Sequence, residues 1–168
     1  MSDTQREIVL LLPRLRRMAW ALARDGADGD DLLQRTVERT LERAGERKAG
    51  IRLDLWMFRV MKNLWIDEMR TRNRWKRLVE PLPDHDVIGD EGVLADGIAD
   101  VVELARIRTL VEELPEEQRL AVKLVLLGGH SYTEAADILE VPEGTLTSRL
   151  ARGRAALLQR YQVGRTRH

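Results

Sequence analysis

Apolar residues recur at intervals of three and four on both sides of one acidic segment that is rich in proline and glycine. This spacing places them on one face of an α-helix, since a helix completes a turn in about 3.6 residues. No alternation of apolar and polar residues typical of strands is present. The pattern predicts helices at about 4–24, 30–44 and 53–75 before the acidic segment. We therefore predict an all-α fold.

Four further helices are predicted after the acidic segment, ending at about residue 161. Prolines and glycines end helices, and a Ser followed three residues later by Glu is the spacing of a capping box. The residues that are expected to begin or end these helices are Pro115, the Gly128-Gly129 pair, the Ser131/Glu134 capping box and Pro142. Each side of the acidic segment thus holds enough helix for one small domain.

Charge is unevenly distributed, although the chain is neutral with 28 Lys and Arg against 28 Asp and Glu. From Arg59 to Arg77 there are seven bases and two acids, and from Gly144 onward there are six arginines and no acid. Between these blocks, Glu80 to Asp100 contains seven acids and no base, with prolines and glycines that break any long helix. We predict two small helical domains, 1–77 and 101–168, joined by a flexible acidic linker, 78–100.

The composition excludes several classes of site. There is no cysteine, and the three histidines are scattered, so disulfides, thiol nucleophiles and a metal cluster are not predicted. The Asp84-His85-Asp86 group lacks the spacing of a calcium-binding loop. No phosphate-binding glycine loop or nucleophile triad is present, so we predict neither an enzyme nor a cofactor. No apolar stretch approaches the ~20 residues that span a bilayer, which predicts a cytoplasmic protein without membrane insertion.

The last two predicted helices, at 131–139 and 142–161, have the arrangement of a helix-turn-helix. A short helix, a tight turn and a longer basic helix let the second helix enter the major groove of DNA. Hydroxyls and guanidinium groups on its early turns can reach phosphates and base edges. These candidate DNA contacts are Thr145, Thr147, Ser148, Arg149 and Arg152. The alternative, a helical hairpin with a solvated arginine face, is disfavoured by the capping box and by the absence of acids after Glu143.

Four of the seven aromatic residues lie in or beside the first basic block: Trp56, Phe58, Trp65 and Trp75. Rings stack on bases while cations follow phosphates, so this combination is typical of single-stranded nucleic acid binding. Each ring taken alone is more simply explained as core. Stronger evidence comes from polar residues that recur at intervals of three and four residues on the third helix. They form a polar stripe opposite its apolar face. The polar stripe consists of Arg59, Asn63, Asp67, Arg70 and Arg74.

Four segments resemble motifs of the extracytoplasmic-function (ECF) sigma factors, the smallest bacterial sigma factors. Residues 30–34 (DDLLQ) resemble "DDLVQ", and residues 56–70 (WMFRVMKNLWIDEMR) resemble "WLxRIARNxxIDxxR". Residues 114–119 (LPEEQR) are similar to "LPxxxR". Residues 131–136 with 142–154 are similar to "SYxEIA" and "PxGTVxSRLxRAR". The resemblance covers both predicted domains in the family's order and leaves out only the linker.

The resemblance implies an alternative sigma factor, which binds core RNA polymerase and directs promoter-specific transcription initiation. The first domain would be sigma region 2, which binds polymerase and recognises and melts the minus-ten element. The last domain would be sigma region 4, which reads the minus-thirty-five element. The partners it implies are core RNA polymerase, promoter DNA both as duplex and as melted single strand, and an anti-sigma factor.

The same resemblance implies functional residues by motif position. The core-polymerase contacts would be Asp31, Gln34 and Arg35, where Arg35 stands in place of the acid that the family usually carries. A loop at 45–53 would hold a flipped base. The minus-ten contacts would be Arg47, Lys48, Arg52, Trp56, Arg59, Asn63 and Arg70. The minus-thirty-five contacts would be Thr145, Thr147, Ser148, Arg149, Arg152 and Arg154.

Two other functions remain as alternatives. A stand-alone helix-turn-helix regulator would need a sensory pocket or a self-complementary surface in the N-terminal half, where this sequence has a basic, Trp-rich helix. A pure interaction protein would not need the arginines of the last helix. Binding to core RNA polymerase distinguishes a sigma factor from both.

Overall fold

The computed structural model describes residues 1–79 and 98–166, and within these ranges the chain forms seven α-helices and no strands. They are α1 (Asp3–Leu22), α2 (Gly26–Glu42), α3 (Leu53–Leu78), α4 (Ile98–Glu112), α5 (Glu116–Val122), α6 (Tyr132–Leu139) and α7 (Glu143–Thr166). The chain divides into two compact units, Met1–Gly89 and Asp90–His168. The predicted all-α class with two helical domains is confirmed.

The helix boundaries differ from the predicted ones by a few residues. α3 extends to Leu78, and α7 continues to Thr166 rather than ending near Tyr161. α4 begins at Ile98, within the predicted linker. Most of that linker, including the Asp84-His85-Asp86 group, lies outside the described residues. No helix in the described ranges is both long and apolar enough to cross a membrane.

The first unit is a bundle of α1, α2 and α3, each of which contributes one face to a shared core. The large side chains that are completely enclosed there are Leu15, Met18, Leu22, Leu32, Met57 and Met61. Burial of one such side chain contributes about 1.5–3 kcal/mol relative to leaving it in water. The apolar periodicity of α1 and α3 therefore predicts their buried faces correctly.

The buried face of α2 differs from the one that the apolar spacing suggests. Leu41, which continues the apolar spacing of this helix, is 44% exposed, whereas Thr36 and Thr40 are fully buried. The hydroxyl of Thr36 donates to the carbonyl of Leu32 at 2.7 Å, and that of Thr40 donates to the carbonyl of Thr36 at 2.7 Å. A threonine whose hydroxyl is satisfied within its own helix can be buried with its methyl group in the core. Polar residues thus occupy positions that an apolar pattern cannot reveal.

Ion pairs join α2 to α3 on the surface of the first unit. Arg72 donates to both carboxylate oxygens of Asp28 at 2.8 Å and to Glu68 at 2.6 Å. Glu68 also accepts a hydrogen bond of 2.7 Å from Arg35. The planar guanidinium group suits such paired contacts with a carboxylate. The cluster of Asp28, Arg35, Glu68 and Arg72 therefore fixes how α2 lies on α3.

The second unit packs α4, α5 and α6 around α7. Its completely enclosed side chains include Val111, Leu114, Leu124, Ile138, Leu146 and Leu150. After α5 the chain continues through one π-helical turn, Lys123–Leu127. In that turn Lys123 is 2% exposed and forms an ion pair with Glu112 of α4. A buried ammonium group is costly unless paired, so this contact ties α4 to the π-helical turn.

α7 lies close against α5 at Gly153. A Cβ atom at this position would lie 2.8 Å from Cγ2 of Val122, which is itself buried. Only a residue without a side chain lets the two helices meet here. This contact sets the position of α7, the predicted DNA-binding helix, on the rest of the unit.

We predict that Asp28→Asn destabilises the first unit by about 1 kcal/mol, the usual contribution of a charge-assisted hydrogen bond that is partly open to solvent. The hydrogen bond from Arg72 lowers the pKa of Asp28 below its ordinary value of 3.8, and outweighs the opposing effect of burial. The carboxylate therefore stabilises the fold at neutral pH, and its contribution is lost as the pH falls through the folded-state pKa. Urea unfolding of both proteins from pH 7 into the acidic range measures this.

The stability difference between wild type and Asp28→Asn should accordingly shrink on acidification. Asp67→Asn, which alters an exposed aspartate of α3, is the control. Its stability difference from wild type should not change with pH. A difference for Asp28→Asn that stays constant with pH would contradict the assigned role of the ionised carboxylate.

We also predict that Gly153→Ala and Val122→Ala are energetically coupled. The new Cβ crowds the valine methyl group, and overpacking of this kind costs about 1–3 kcal/mol, partly offset by the ~1 kcal/mol of helix propensity that alanine gains. Val122→Ala removes the crowded methyl group. The loss of unfolding free energy caused by Val122→Ala should therefore be smaller in a protein that already carries Gly153→Ala. Unfolding of the four proteins in urea gives the coupling energy. Additive effects would show that α5 and α7 do not meet at this point.

Candidate nucleic-acid interface

The turn between α6 and α7 has the geometry of a helix-turn-helix. The Oγ of Ser131 accepts a hydrogen bond of 3.1 Å from the backbone N–H of Glu134 and caps α6. At the other end of α6, Glu140 adopts a left-handed conformation with φ of 57°. The backbone N–H of Val141 then donates to the carbonyl of Ala136 at 3.1 Å. These bonds fix the angle between the helices, and the predicted helix-turn-helix is confirmed.

α7 buries one face and exposes the side chains that were predicted to contact DNA. Leu146, Leu150 and Gly153 point into the unit, while Thr145 is half-buried. The exposed candidates are Thr147, Ser148, Arg152 and Arg154. The hydroxyl of Thr147 donates to the carbonyl of Glu143 at 2.9 Å, so the hydroxyl of Ser148 and the guanidinium groups of Arg152 and Arg154 are the groups that face a ligand along the first half of the helix.

Arg149 differs from these residues because it pairs with α5. Its Nη2 atom lies 3.3 Å from Oε1 of Glu117, and its side chain is 23% exposed while that of Glu117 is 70% exposed. Near the other end of α7, Arg160 lies 3.4 Å from Glu113 in a similar pair. Ion pairs this open to solvent contribute at most about 1 kcal/mol. Both arginines can therefore exchange their glutamate for a stronger anionic partner at low cost.

The polar stripe of α3 faces solvent in the first unit. Asn63, Asp67, Arg70 and Arg74 are exposed and Arg59 is half-buried, whereas Met57 and Met61 are buried on the opposite face. The 26 residues of α3 span about 39 Å at 1.5 Å per residue. The stripe is therefore a long, mainly basic surface on one rigid helix, as predicted.

The four clustered aromatic residues separate into core and surface. Phe58 and Trp65 are 2% and 3% exposed, so packing explains them. Arginines lie over both rings, with Arg14 5.3 Å from the Phe58 centroid and Arg72 5.8 Å from that of Trp65. Trp56 is half-buried, and Trp75 is 64% exposed. Two of the four rings are therefore accessible to a ligand.

The predicted base-binding loop is held in shape by its own basic residues. Arg47 donates to the carbonyl of Ile51 at 2.9 Å, and the backbone N–H of Ile51 donates to the carbonyl of Lys48 at 3.2 Å. Gly50 has a φ of 88°, a conformation that favours glycine. The side chain of Lys48 is exposed. Arg47 thus shapes the loop, while Lys48 faces solvent.

Asp54, in the first turn of α3, organises the end of this loop. Its carboxylate accepts hydrogen bonds from Arg52, from the backbone N–H of Leu55 at 2.8 Å and from Arg14 of α1 at 3.2 Å. Burial raises the pKa of Asp54, but the hydrogen bonds and positive charges around it outweigh burial and leave the pKa below its ordinary value. The ionised carboxylate therefore joins the loop to α1 and α3, and Arg52 is held in that contact.

The predicted polymerase-binding residues lie together on α2. Asp31 and Gln34 are exposed, and Gln34 donates to Glu38 at 3.0 Å. Arg35 is half-buried and lies 3.7 Å from Asp31 as well as 2.7 Å from Glu68. The reversed charge at position 35 is thus balanced within the protein by an acid of α3.

Two acids that shape these surfaces were missed by sequence reasoning, Asp54 and Glu117. Each acts through contacts that are remote in sequence, so no local motif marks it. Both lie in the first turn of a helix, where the helix dipole favours an acid, but this local signal does not reveal their partners. In the described ranges, no three His, Asp or Glu side chains converge as a metal ion would require.

Each of the two units matches a different protein-family model. The model for "Sigma-70, region 4" matches residues 104–157, and that for "Sigma2 domain of PhyR" matches residues 8–62. The chain is 30% identical over 158 residues to the ECF RNA polymerase sigma factor EcfG of Rhodopseudomonas palustris, which covers 94% of this chain and 84% of the relative. It is 33% identical to the ECF RNA polymerase sigma factor SigC of Mycobacterium tuberculosis, covering 80% of this chain and 70% of that one.

Solved structures give the same result. The sigma factor RpoE of Bartonella quintana, in complex with the anti-sigma factor NepR, matches with a TM-score of 0.73 and 26% identity over 97% of this chain and 99% of that chain. CnrH, in complex with the cytosolic domain of CnrY, shares the fold with a TM-score of 0.65 and 21% identity over 95% of this chain and 88% of that chain. Because the sequence relationship spans both units in order, the chain belongs to the ECF RNA polymerase sigma factors.

Proposed function

We propose that this protein is an alternative sigma factor that binds core RNA polymerase and directs promoter-specific transcription initiation. The observation that carries the proposal is the presence in one chain of two DNA-compatible surfaces, the exposed side of α7 and the polar stripe of α3, within a sequence related to EcfG over 158 residues. The protein supplies recognition, while the polymerase supplies the chemistry of RNA synthesis. It works in the cytoplasm beside the polymerase.

In this proposal residues 101–168 act as region 4 and read the minus-thirty-five element. α7 enters the major groove, where hydroxyls bind phosphates and guanidinium groups bind guanine edges. The contacts we assign are Thr145, Thr147, Ser148, Arg149, Arg152 and Arg154. Arg149 first has to leave Glu117, at a cost of at most about 1 kcal/mol, and a bidentate contact with guanine contributes more than that.

Residues 1–77 act as region 2 and recognise and melt the minus-ten element. The polar stripe supplies Arg59, Asn63 and Arg70 to the DNA strand as it unpairs, and Trp56 offers a partly accessible ring for stacking. The loop at 45–53 closes over a flipped base, with Lys48 facing the phosphates. Arg47 and Arg52 keep the loop in the required shape and add positive charge beside it.

The surface of α2 binds the polymerase. Asp31 and Gln34 are exposed on it, and their removal leaves the core of the unit intact. Arg35 contributes by holding α2 against α3 through Glu68, which keeps the binding surface at a fixed angle. An anti-sigma factor is a further partner, since the sigma factor RpoE in the structure above is bound to the anti-sigma factor NepR. α1 offers such a partner Val9 and Leu10, which are 52% and 80% exposed.

A stand-alone helix-turn-helix regulator is the competing function, and assembly with polymerase distinguishes the two. The protein is mixed with purified core RNA polymerase, separated by gel filtration and assayed on promoter DNA. A sigma factor co-elutes with the polymerase and binds the promoter specifically only in that complex. A regulator elutes alone and binds its operator without polymerase, and this result would overturn the proposal.

We predict that Asp31→Ala combined with Gln34→Ala weakens binding to core polymerase by about tenfold or more, as loss of two exposed interface contacts does at 0.5–1.5 kcal/mol each. Both side chains are exposed, so the thermal midpoint should change little. Glu42→Ala, at the end of the same helix, is the matched control and should leave affinity unchanged. Unchanged affinity in the double variant would mean that this surface does not face the polymerase.

We predict that Arg149→Ala loses preference at particular upstream base pairs, by about 1–3 kcal/mol of discrimination. Arg160→Ala is the matched control, because Arg160 pairs with a glutamate in the same way but lies eleven residues further along α7. Its loss should at most weaken binding evenly and reduce the salt slope by about one. Titration of both holoenzymes against upstream variants at several salt concentrations measures this. If Arg149→Ala weakens all variants equally, a neighbouring residue makes the base contact.

A further inference from the structure

Trp20, near the end of α1, makes contacts with the start of α2 that the sites above do not use. Its indole N–H donates to Oδ1 of Asp30 at 3.1 Å. The guanidinium group of Arg16 lies over the indole ring, 5.1 Å from its centroid, and 4.0 Å from the same carboxylate oxygen. An N–H group and a guanidinium group of α1 therefore both face one oxygen of an α2 side chain.

Gly29 makes room for this contact. A Cβ atom at position 29 would lie 2.8 Å from Cδ1 of Trp20 and 3.2 Å from its Nε1 atom, so any other residue would displace the ring. Glycine lowers the stability of a helix relative to alanine, and the close approach of the ring accounts for its presence in α2. Gly29 is buried and Trp20 is half-buried. The ring is therefore held in a fixed place beside Asp30.

Asp30 lies on the exposed surface of α2 that is proposed to bind polymerase. Gln34 follows Asp30 by four residues and Asp31 by three, which places both aspartates beside Gln34 on the helix. The side chains of Asp30 and Asp31 are 59% and 60% exposed. Trp20 and Arg16 both contact Oδ1 of Asp30, and Oδ2 forms no hydrogen bond or ion pair within the described part of the chain. One oxygen is thus held by the protein while the other is open to a partner.

An aspartate that is already held in one orientation binds a partner more tightly than one that rotates freely. A free side chain loses rotational freedom when it enters an interface, and this loss of entropy opposes binding. The hydrogen bond from Trp20 restricts Asp30 before the partner arrives, so less entropy remains to be lost. The group that complements the open carboxylate oxygen is a base on the surface of the partner.

We propose that Trp20 is a positioning residue for polymerase binding. It orients Asp30, whose second oxygen contacts a basic group of the polymerase beside the contacts of Asp31 and Gln34. This inference rests on the proposed function and makes the polymerase-binding surface of α2 depend on α1. The indole ring also packs against Gly29, so its packing and its hydrogen bond have to be separated by experiment.

Trp20→Phe separates these two roles, because it keeps a ring against Gly29 but removes the indole N–H. The affinity of the complete protein for purified core polymerase is measured without DNA for wild type, Trp20→Phe, Asp30→Ala and the double variant. The thermal midpoints of the same proteins are measured alongside. Arg6→Ala, which alters an exposed residue fourteen positions before Trp20 on α1, is the matched control.

Trp20→Phe should weaken polymerase binding about three- to tenfold, which is the entropy of ordering one side chain expressed as an affinity. Asp30→Ala should weaken binding by at least as much, because the contact itself is lost, and its affinity should depend less steeply on salt concentration. The double variant should bind no more weakly than Asp30→Ala alone, since Trp20 acts through Asp30. Thermal midpoints should change little, and Arg6→Ala should bind as wild type.

Three results would overturn the inference while leaving the proposed function intact. The first is wild-type affinity of Trp20→Phe for polymerase. The second is wild-type affinity of Asp30→Ala, which would show that the polymerase does not use the held carboxylate. The third is a double variant in which the two losses multiply, which would mean that Trp20 acts on binding by a route other than Asp30. Failure of the wild-type protein to assemble with polymerase would instead overturn the proposed function, and this inference with it.

Discussion

Each unit has to hold one helix that is apolar on one side and densely basic on the other. Arginines crowded on one surface repel one another, and neighbouring helices relieve this repulsion by supplying carboxylates to some of them. Asp28 of α2 binds Arg72 of α3, and in the second unit Glu117 of α5 and Glu113, just after α4, pair with Arg149 and Arg160 of α7. This explains how a chain with no net charge can present strongly basic surfaces. In the proposed function, DNA binds the exposed basic sides of these two helices.

The ion pairs also have a mechanical role, because they lie between elements far apart in sequence. Arg72 and Asp28 are 44 residues apart, and Arg14 and Asp54 are 40 residues apart. A small domain buries a limited fraction of its surface, so polar contacts of this kind matter for holding its helices at fixed angles. The surface of α2 and the loop before α3 both depend on them. Recognition surfaces in the first unit are therefore positioned by contacts at their edges.

Most of the fold could be predicted from the sequence, because helical periodicity is a local property. The sequence predicts all seven helices of the described residues, and it predicts the turn between α6 and α7 because Ser131, Glu134 and Pro142 mark it locally. The buried face of α2 could not be predicted, because Thr36 and Thr40 satisfy their hydroxyls within the helix and are buried like apolar residues. The pairing of Arg35 and of Arg149 could not be predicted either, since it depends on which helices lie side by side.

The central claim is that the protein gives promoter specificity to RNA polymerase. Run-off transcription with purified core enzyme on a library of genomic promoter fragments, with and without the protein, tests it most directly. The expected result is a small set of transcripts that require the protein and whose start sites share a pair of upstream elements at fixed spacing. Transcripts that are the same in number and position with and without the protein would contradict the claim.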